Sequence, residues 1–302
     1  MKILRRSFSG GYRFARFEGQ PADDVMTAEM PARVILPLQQ GFGREVPALV
    51  KRGDVVKAGQ IIGRDDETIS SPLHASVNGT VEAVKSFNYF GKKVRAVFIT
   101  PDETTEWQAV EGASANWPEL PVEKLENVLY LSGVTALGSS GIPTRYKSSI
   151  IAPSEVQHLI IHYTESDVFN VPLSLLLKEE GLQHFLEGVK ILQTLLSGAK
   201  THIAMSSRQA EWLFEIADSL HDQEAVSFYT LKPKYPQHRD EVLVSTILRE
   251  KIPFSYIPAN LGVLTFTVQD VLRVYDAVVQ GKPFIDTLMT LAGPGFTQRG
   301  SV

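Results

Sequence analysis

The sequence predicts an α/β plus β protein: a β-rich first third, then an α/β domain with a mostly parallel sheet. Three observations predict it. From Val34 to Ile99, short runs dense in Val, Ile and Thr alternate with Gly- or Asp-containing turns. Residues 101–123, "PDETTEWQAVEGASANWPELPVEK" with its following lysine, are polar, Pro-punctuated and without periodicity, as a surface connection would be. Beyond them compact apolar runs alternate with amphipathic helical stretches, the pattern of strands buried on both faces and joined by helices.

In the β-rich part, "VKRGDVVKAGQIIG" (50–63) and "ISSPLHASVNGTVEAV" (69–84) each place a turn before a short Val-rich strand. Asn78-Gly79 is the strongest local hairpin signal, because both positions tolerate positive φ. The pair resembles the two halves of the lipoyl/biotinyl barrel-sandwich hybrid fold. In carrier members of that fold a hairpin tip presents a modified lysine. The matching tip here is Arg64-Asp65-Asp66-Glu67-Thr68, without lysine, so neither lipoate nor biotin is expected and a docking role takes its place.

In the second part, "NVLYL" (127–131), "HLIIH" (158–162), "THIAM" (201–205), "VSFYTL" (226–231) and "VLTFT" (263–267) read as buried strands. Helices are expected over 181–198 with Gly198 as C-cap, over 206–220 with a Ser206/Gln209 capping box, and over 239–251. A fourth, over 268–281, has Thr267 and Asp270 in capping-box spacing and Gly281 at its end. The segment "LSGVTALGSSGIPTRYK" (131–147) then follows a strand, where backbone N–H groups at Gly138–Gly141 would face an anion at the carboxyl ends of the sheet. Trp107 and Trp117 are expected to pin the connecting segment to a domain surface.

Composition excludes several functions. The chain has 302 residues, a net charge of −4 and a pI near 6.0, which argues against nucleic-acid binding. It has no cysteine, and so no disulfide, thiolate nucleophile or cysteine-ligated iron–sulfur cluster of its own. The seven histidines are scattered, without metal-binding spacing, so no metal site is expected. No apolar run is long enough to span a bilayer. The basic N-terminus "MKILRRSFSGGYRF" lacks the apolar core of a signal peptide.

Taken in order, "VKRGDVVKAGQIIG", "SPLHASVNGTV", "GVTALGSSGIPTRYK", "HLIIHYTESDVF", "KYPQHRDEVL" and "DVLRVYDAVVQGKPFIDTLMTLAGPG" resemble the RnfC/NqrA family. These are peripheral subunits of NADH-linked, ion-translocating membrane oxidoreductases, and their second domain is related to the flavin-bearing subunit of respiratory complex I. The resemblance implies a Na+- or H+-translocating complex of the Nqr/Rnf type, with electrons passed towards quinone or ferredoxin. It implies integral-membrane and flavin-bearing partner subunits, contact with quinone or NADH, and a place on the cytoplasmic face of the inner membrane through those partners. It implies a subunit role rather than clear catalysis by this chain alone, and two alternatives stand beside it: an FMN/NADH-binding oxidoreductase in its own right, or a cofactor-free docking scaffold.

Flavin-binding branches carry a "GxGGAGFPT" loop, an "NxxECEP" stretch, a "YPQGGE" turn and a later "NVGT". Carried over, Gly138, Gly141, Pro143, Thr144 and Lys147 are kept, whereas Ala136, Ser139 and Ser140 depart. His162 replaces the Asn, Glu165 is kept, Ser166 replaces Cys and Asp167 stands for the second Glu. Tyr235, Pro236 and Gln237 are kept, but His238, Arg239 and Asp240 occupy Gly-Gly-Glu; Thr267, Gln269 and Asp270 replace Asn, Gly and Thr. Gly138, Gly141, Lys147, Glu165 and Asp167 are thus the candidate residues of a degenerate flavin site. The expectation is no cofactor bound in this chain, with FMN as the alternative. A local reading stands beside each: Glu165 and Asp167 as caps near "VPLSLLL", His162 as a structural strand-end histidine, Lys147 as a surface charge. "VQDV" (268–271) leans to the NqrA branch and "KYPQ" to RnfC.

The resulting plan is an N-terminal extension and barrel-sandwich hybrid over 1–100, a linker over 101–123 and a Rossmann-like α/β domain over 124–286. Residues 287–302 begin a C-terminal β-grasp-like region that is absent or truncated, as in a fragment or a naturally short homologue.

Overall fold

The computed structural model describes residues 2–14, 17–40, 44–66, 70–134, 155–164 and 167–302. The chain divides into two units, one made of Met1–Thr27, Lys147–Leu272 and Leu288–Val302, the other of Ala28–Tyr146 and Arg273–Thr287.

The second of these contains the barrel-sandwich hybrid. Strands β2 (Val34–Pro37), β3 (Val55–Val56), β6 (Gly79–Tyr89) and β7 (Lys92–Pro101) form an antiparallel sheet in the order β2-β7-β6-β3, and β4 (Ile61–Gly63) pairs with β5 (Leu73–His74). Leu38, Val46, Val56, Ile62, Ala75, Val81, Val97 and Ile99 fill the space between as one buried cluster. Their spacing in β7, Val97 and Ile99 on one face, is the period-2 pattern a strand requires.

Asn78-Gly79 does not make the hairpin its sequence suggests, because the strands on either side of it, β5 and β6, have different partners. Asn78 is instead a buried bracket. Its Oδ1 accepts from the Ala58 N–H at 2.9 Å, and its Nδ2 donates to the carbonyls of Thr104 (2.9 Å) and Glu106 (2.8 Å). The true two-residue turn is Phe90-Gly91, with φ of 48° and 79°, between the register pair Tyr89 and Lys92. Two successive positive φ values give a turn whose twist matches the strands, and one of the two residues is not glycine.

"NVLYL" is helix, not strand: α1 spans Val122–Leu131 and buries Leu125, Val128, Leu129 and Tyr130. Those positions recur at three- and four-residue spacing, and the C-terminal half alone, five apolar-rich residues, mimics a buried strand. The segment 131–147 therefore follows a helix. Trp117, in a 3₁₀ turn over Trp117–Glu119, is buried, whereas Trp107 lies exposed beneath the Lys282 ammonium, 5.7 Å from its ring centre.

The other unit is a five-stranded, wholly parallel sheet. The strands are β1 (Ile3–Arg6), β8 (His158–Tyr163), β9 (Lys200–Ser206), β10 (Val226–Leu231) and β11 (Val263–Thr267), in the order β1-β10-β9-β8-β11. The four predicted runs from 158 onward all form their strands; β1 is an additional edge strand, paired from Ile3 with Phe228. Ile160, Ala204, Tyr229, Leu231 and Val263 pack with Leu243, Val244 and Ile247 of α5 (Asp240–Leu248). The alternate residues Leu159, Ile161, Ile203 and Phe228 are buried as well, so both faces are covered, as a parallel sheet demands.

The remaining helices are α2 (Leu173–Leu177), α3 (Gly181–Leu195), α4 (Ala210–Ser219) and α6 (Val268–Tyr275). α3 has Leu196 as its C-cap rather than Gly198. Its Gly188 lies so close to α6 that a Cβ there would sit 2.5 Å from the Val271 carbonyl oxygen. Before α4, Ser206 Oγ accepts from the Arg208 N–H at 3.4 Å and a 3₁₀ turn over Ser207–Gln209 intervenes, in place of the expected Ser206/Gln209 box. α5 is shorter than its pattern because Arg249 turns left-handed, with φ of 67°. α6 opens with the predicted box and continues as a π-helical turn over Asp276–Gln280 that closes on Gly281. Two-residue strands β12 (Thr290–Leu291) and β13 (Gly300–Ser301) pair antiparallel.

Candidate functional site

At the barrel tip the described residues form a closed cluster. The Arg64 guanidinium pairs with Asp66 (Nε to Oδ1, 2.7 Å) and lies 5.5 Å above the Tyr130 ring, whose hydroxyl donates to Asp66 Oδ1 at 2.5 Å. Burial, then the neighbouring Asp66 carboxylate, pushes the Tyr130 phenol up to about 12, so it remains a donor at any ordinary pH. A carrier arm needs a free, extended side chain at this tip. Here Arg64 and Asp66 are tied to Tyr130 of helix α1 instead. Close by, His74 is buried, with its Nε2 2.8 Å from the Leu131 carbonyl; desolvation holds it at about 4, neutral and a donor to that oxygen.

The carboxyl ends of the parallel strands are where a ligand of such a sheet would lie. β8 carries His162 near its end, in register with Thr267 at the end of β11, so two of the four positions altered from the flavin pattern are neighbours. His162 is buried, with its Nδ1 3.2 Å from Thr164 Oγ1. Thr267 and Asp270 cap α6 reciprocally: the Thr267 N–H donates to Asp270 Oδ2 at 2.8 Å, and the Asp270 N–H donates to Thr267 Oγ1 at 3.2 Å. The buried Asp270 carboxylate is thereby committed to the helix end, where the backbone dipole favours a negative charge.

The third altered position follows β10. Tyr235 stacks against His238, ring centres 5.3 Å apart, and Arg239 Nε lies 3.7 Å from Glu241. Gln237 is wholly buried and its Nε2 donates to Thr246 Oγ1 at 3.3 Å; Asp240 Oδ1 accepts from Thr265 Oγ1 at 2.9 Å. Where the flavin pattern keeps Gly-Gly, an imidazole and a guanidinium occupy the turn.

Of the candidate residues, Gly138, Gly141, Lys147 and Glu165 lie outside the described residues. Asp167 is exposed and accepts from the Val168 N–H at 2.7 Å, a local turn rather than a cap of α2, which starts six residues later. Among the described residues at this edge, Thr267 and Asp270 bond to each other, while His162 contacts Thr164, His238 contacts Tyr235 and Asp240 accepts from Thr265. Among the described residues no cluster suited to a metal ion occurs.

One polar feature had no sequence signal beyond the presence of histidines on adjacent strands. His158 Nδ1 lies 2.9 Å from His202 Nε2, and His202 Nδ1 lies 3.1 Å from the Tyr229 hydroxyl, giving a chain of three rings across β8, β9 and β10. With both imidazoles neutral, the three ring nitrogens of this chain find complementary partners in either running direction. Desolvation, then the charges of His158 and Lys200, lowers His202 to about 4. His158 is lowered too, by burial and Lys200, against the opposing pull of Glu250.

A barrel-sandwich hybrid and a wholly parallel five-stranded sheet in one chain define a two-unit protein of the α/β plus β class. Residues 6–104 match the RnfC barrel sandwich hybrid domain and residues 129–276 the Nuo51 FMN-binding domain. The barrel is thus of the RnfC barrel-sandwich family and the α/β part of the Nuo51 FMN-binding family. The chain is 26% identical over 296 residues to the C component of the proton-translocating ferredoxin:NAD(+) oxidoreductase complex of Clostridium ljungdahlii, covering 96% of this chain and 64% of that one. It is 28% identical over 291 residues to the C component of the ion-translocating oxidoreductase complex of Pseudomonas aeruginosa, covering 95% and 37%. To the C component of the Na(+)-translocating ferredoxin:NAD(+) oxidoreductase complex of Acetobacterium woodii it is 22% identical over 295 residues, covering 97% and 66%. The chain thus spans between 37% and 66% of the length of these relatives. Among the described residues, no helix is long and apolar enough to cross a membrane.

Proposed function

We infer that the chain serves as a peripheral subunit of an Rnf-type, Na+- or H+-translocating oxidoreductase that couples ferredoxin and NAD. Its role there is to dock and frame membrane-embedded and flavin-bearing subunits on the cytoplasmic face of the inner membrane, not to carry electrons itself. The RnfC barrel match and the similarity to C components of such complexes support the complex. The observation that carries the docking role is the carboxyl edge of the sheet, where His162, His238, Thr267 and Asp270 are turned to internal contacts. Ferredoxin is preferred to quinone, and the Rnf branch to Nqr, because two of the relatives are named for ferredoxin.

A second reading, FMN held by this chain, is favoured by the match to an FMN-binding domain. Glycine at 138 and 141 would then approach the phosphate and Lys147 would neutralise it. An absorption spectrum of the purified chain with and without added FMN, beside an NADH titration, separates the two. The docking role expects no retained flavin band and no NADH-dependent bleaching. A stoichiometric flavin band after desalting would replace it with the second reading.

A further inference from the structure

The β6–β7 ribbon runs on past the barrel core to a tip with two dissimilar faces. Register pairs Phe87 with Val94 and Tyr89 with Lys92, which places these four on one face; Ser86, Asn88, Lys93 and Arg95 are on the other. The first face carries a ladder of rings: Phe98 to Phe87 at 5.9 Å, Phe87 to Tyr89 at 5.7 Å, Tyr89 to Phe90 at 4.7 Å. The ladder is buried at Phe98 and emerges at the turn, where Phe90 is 91% exposed. A phenylalanine held at positive φ in water gains nothing for the fold, either from conformation or from burial.

Charge singles out the same segment. From Ala83 to Pro101 the sequence has Lys85, Lys92, Lys93 and Arg95 and no acidic residue, in a chain whose net charge is −4. Lys85 lies over the Phe98 ring at 4.7 Å and Lys92 is on the ladder's face, while Lys93 stands on the opposite face beside Arg95, which reaches Glu45 at 3.4 Å. Rings at the tip with lysines just behind them is the arrangement that places aromatic groups at the headgroup level and cations against anionic phosphates.

We propose that the Phe87–Lys93 ribbon tip is a lipid-contacting tooth that seats the chain directly on an anionic membrane surface. This goes beyond attachment through partner subunits and is independent of the flavin question. A protein partner is the poorer fit. A stable protein interface takes about 800 Å² from each side, whereas a two-residue turn and its flanking rings offer only a fraction of that. A headgroup layer needs no complementary shape, only depth for the rings and negative charge for the lysines.

The test is co-sedimentation of the whole chain with vesicles of phosphatidylcholine alone or with added phosphatidylglycerol, across a salt series. Retention is expected only on anionic vesicles and is expected to weaken with salt. Each of Lys85→Gln, Lys92→Gln and Lys93→Gln should lower the partition coefficient about five-fold. Phe90→Ser and Tyr89→Ser should lower it without shifting the melting temperature, and Phe90→Trp should add a blue-shifted emission on anionic vesicles relative to the parent chain. Absence of binding to anionic vesicles overturns the proposal. So does binding that survives Phe90→Ser, or tip variants that lose co-purifying membrane proteins while vesicle binding is unchanged. None of these outcomes depends on flavin uptake, so failure here leaves the docking reading to be judged on its own.

Discussion

The barrel and the parallel sheet both bury polar side chains, and they use them differently. In the barrel, Asn78 and His74 bond to backbone: Asn78 joins Ala58 to the segment at Thr104 and Glu106, and His74 holds the end of α1 at Leu131. In the sheet, His158, His202 and Tyr229 bond to one another, and Thr267 with Asp270 serves a single helix end. Four of the barrel strands, β2 to β5, are only two to four residues long and have few ladder hydrogen bonds, so side chains complete the pairing of its loops. A five-stranded parallel sheet satisfies its own backbone and leaves polar side chains for other contacts.

Acid is expected to act on both regions, and most strongly. For His74 and His202 the folded value of about 4 lies below the ordinary 6.5, so the folded state binds fewer protons than the unfolded one. The stability they allow is complete above pH 6.5 and is lost as pH falls from there towards 4. Urea unfolding at pH 7 and pH 5 should show a loss of roughly 2 kcal/mol for each of the two. His74→Gln and His202→Gln should each remove their own share; equal pH slopes in parent and variants would show that these imidazoles are not the cause.

Asn78→Ala tests the barrel's side of the comparison alone. It leaves the Ala58 N–H and two carbonyls without their partner, and a loss of about 2–3 kcal/mol is expected by chemical denaturation. A loss below about 0.5 kcal/mol would mean that water replaces the amide and that the bracket is dispensable. Thr267→Ala, on the sheet's side, should cost about 1 kcal/mol, the worth of an N-terminal cap. Thr267→Asn restores the residue of the flavin pattern and can still cap, so it should cost less than Thr267→Ala. The reverse order would show that Thr267 does more than end a helix.

The same contrast explains what is legible in the sequence. Parallel strands buried on both faces are continuous apolar runs, and "HLIIH", "THIAM", "VSFYTL" and "VLTFT" locate them to within a residue or two. Most barrel strands are shorter than the window in which periodicity can be counted, and their turns mislead. Asn78-Gly79 has the composition of a hairpin turn but the task of a bracket, whereas Phe90-Gly91 has the geometry without the expected Asn. "NVLYL" reads as a strand because three consecutive buried residues, Val128, Leu129 and Tyr130, look like a buried run when Leu125, one turn earlier, is left out of view. β1 gives no strand signal because "ILRR" is half basic and its partner lies more than two hundred residues away. At the candidate site, the motif departures at His162, His238 and Thr267 are visible as letters. What replaces the missing amides and glycines, a threonine hydroxyl, a tyrosine ring and a helix cap, depends on which strand ends are neighbours, and only the fold supplies that.

The pairing of Ile3–Arg6 with Phe228–Leu231 also bears on synthesis at the ribosome. The edge strand leaves the exit tunnel well before its hydrogen-bonding neighbour, which follows only after the whole barrel sequence and strands β8 and β9 have emerged. Long-range pairing of this kind is slow, because distant chain must be brought together before any contact offsets the ordering. The barrel residues between them can fold while "KILRR" is still waiting, its two arginines keeping an unpaired strand from pairing with a neighbouring nascent chain.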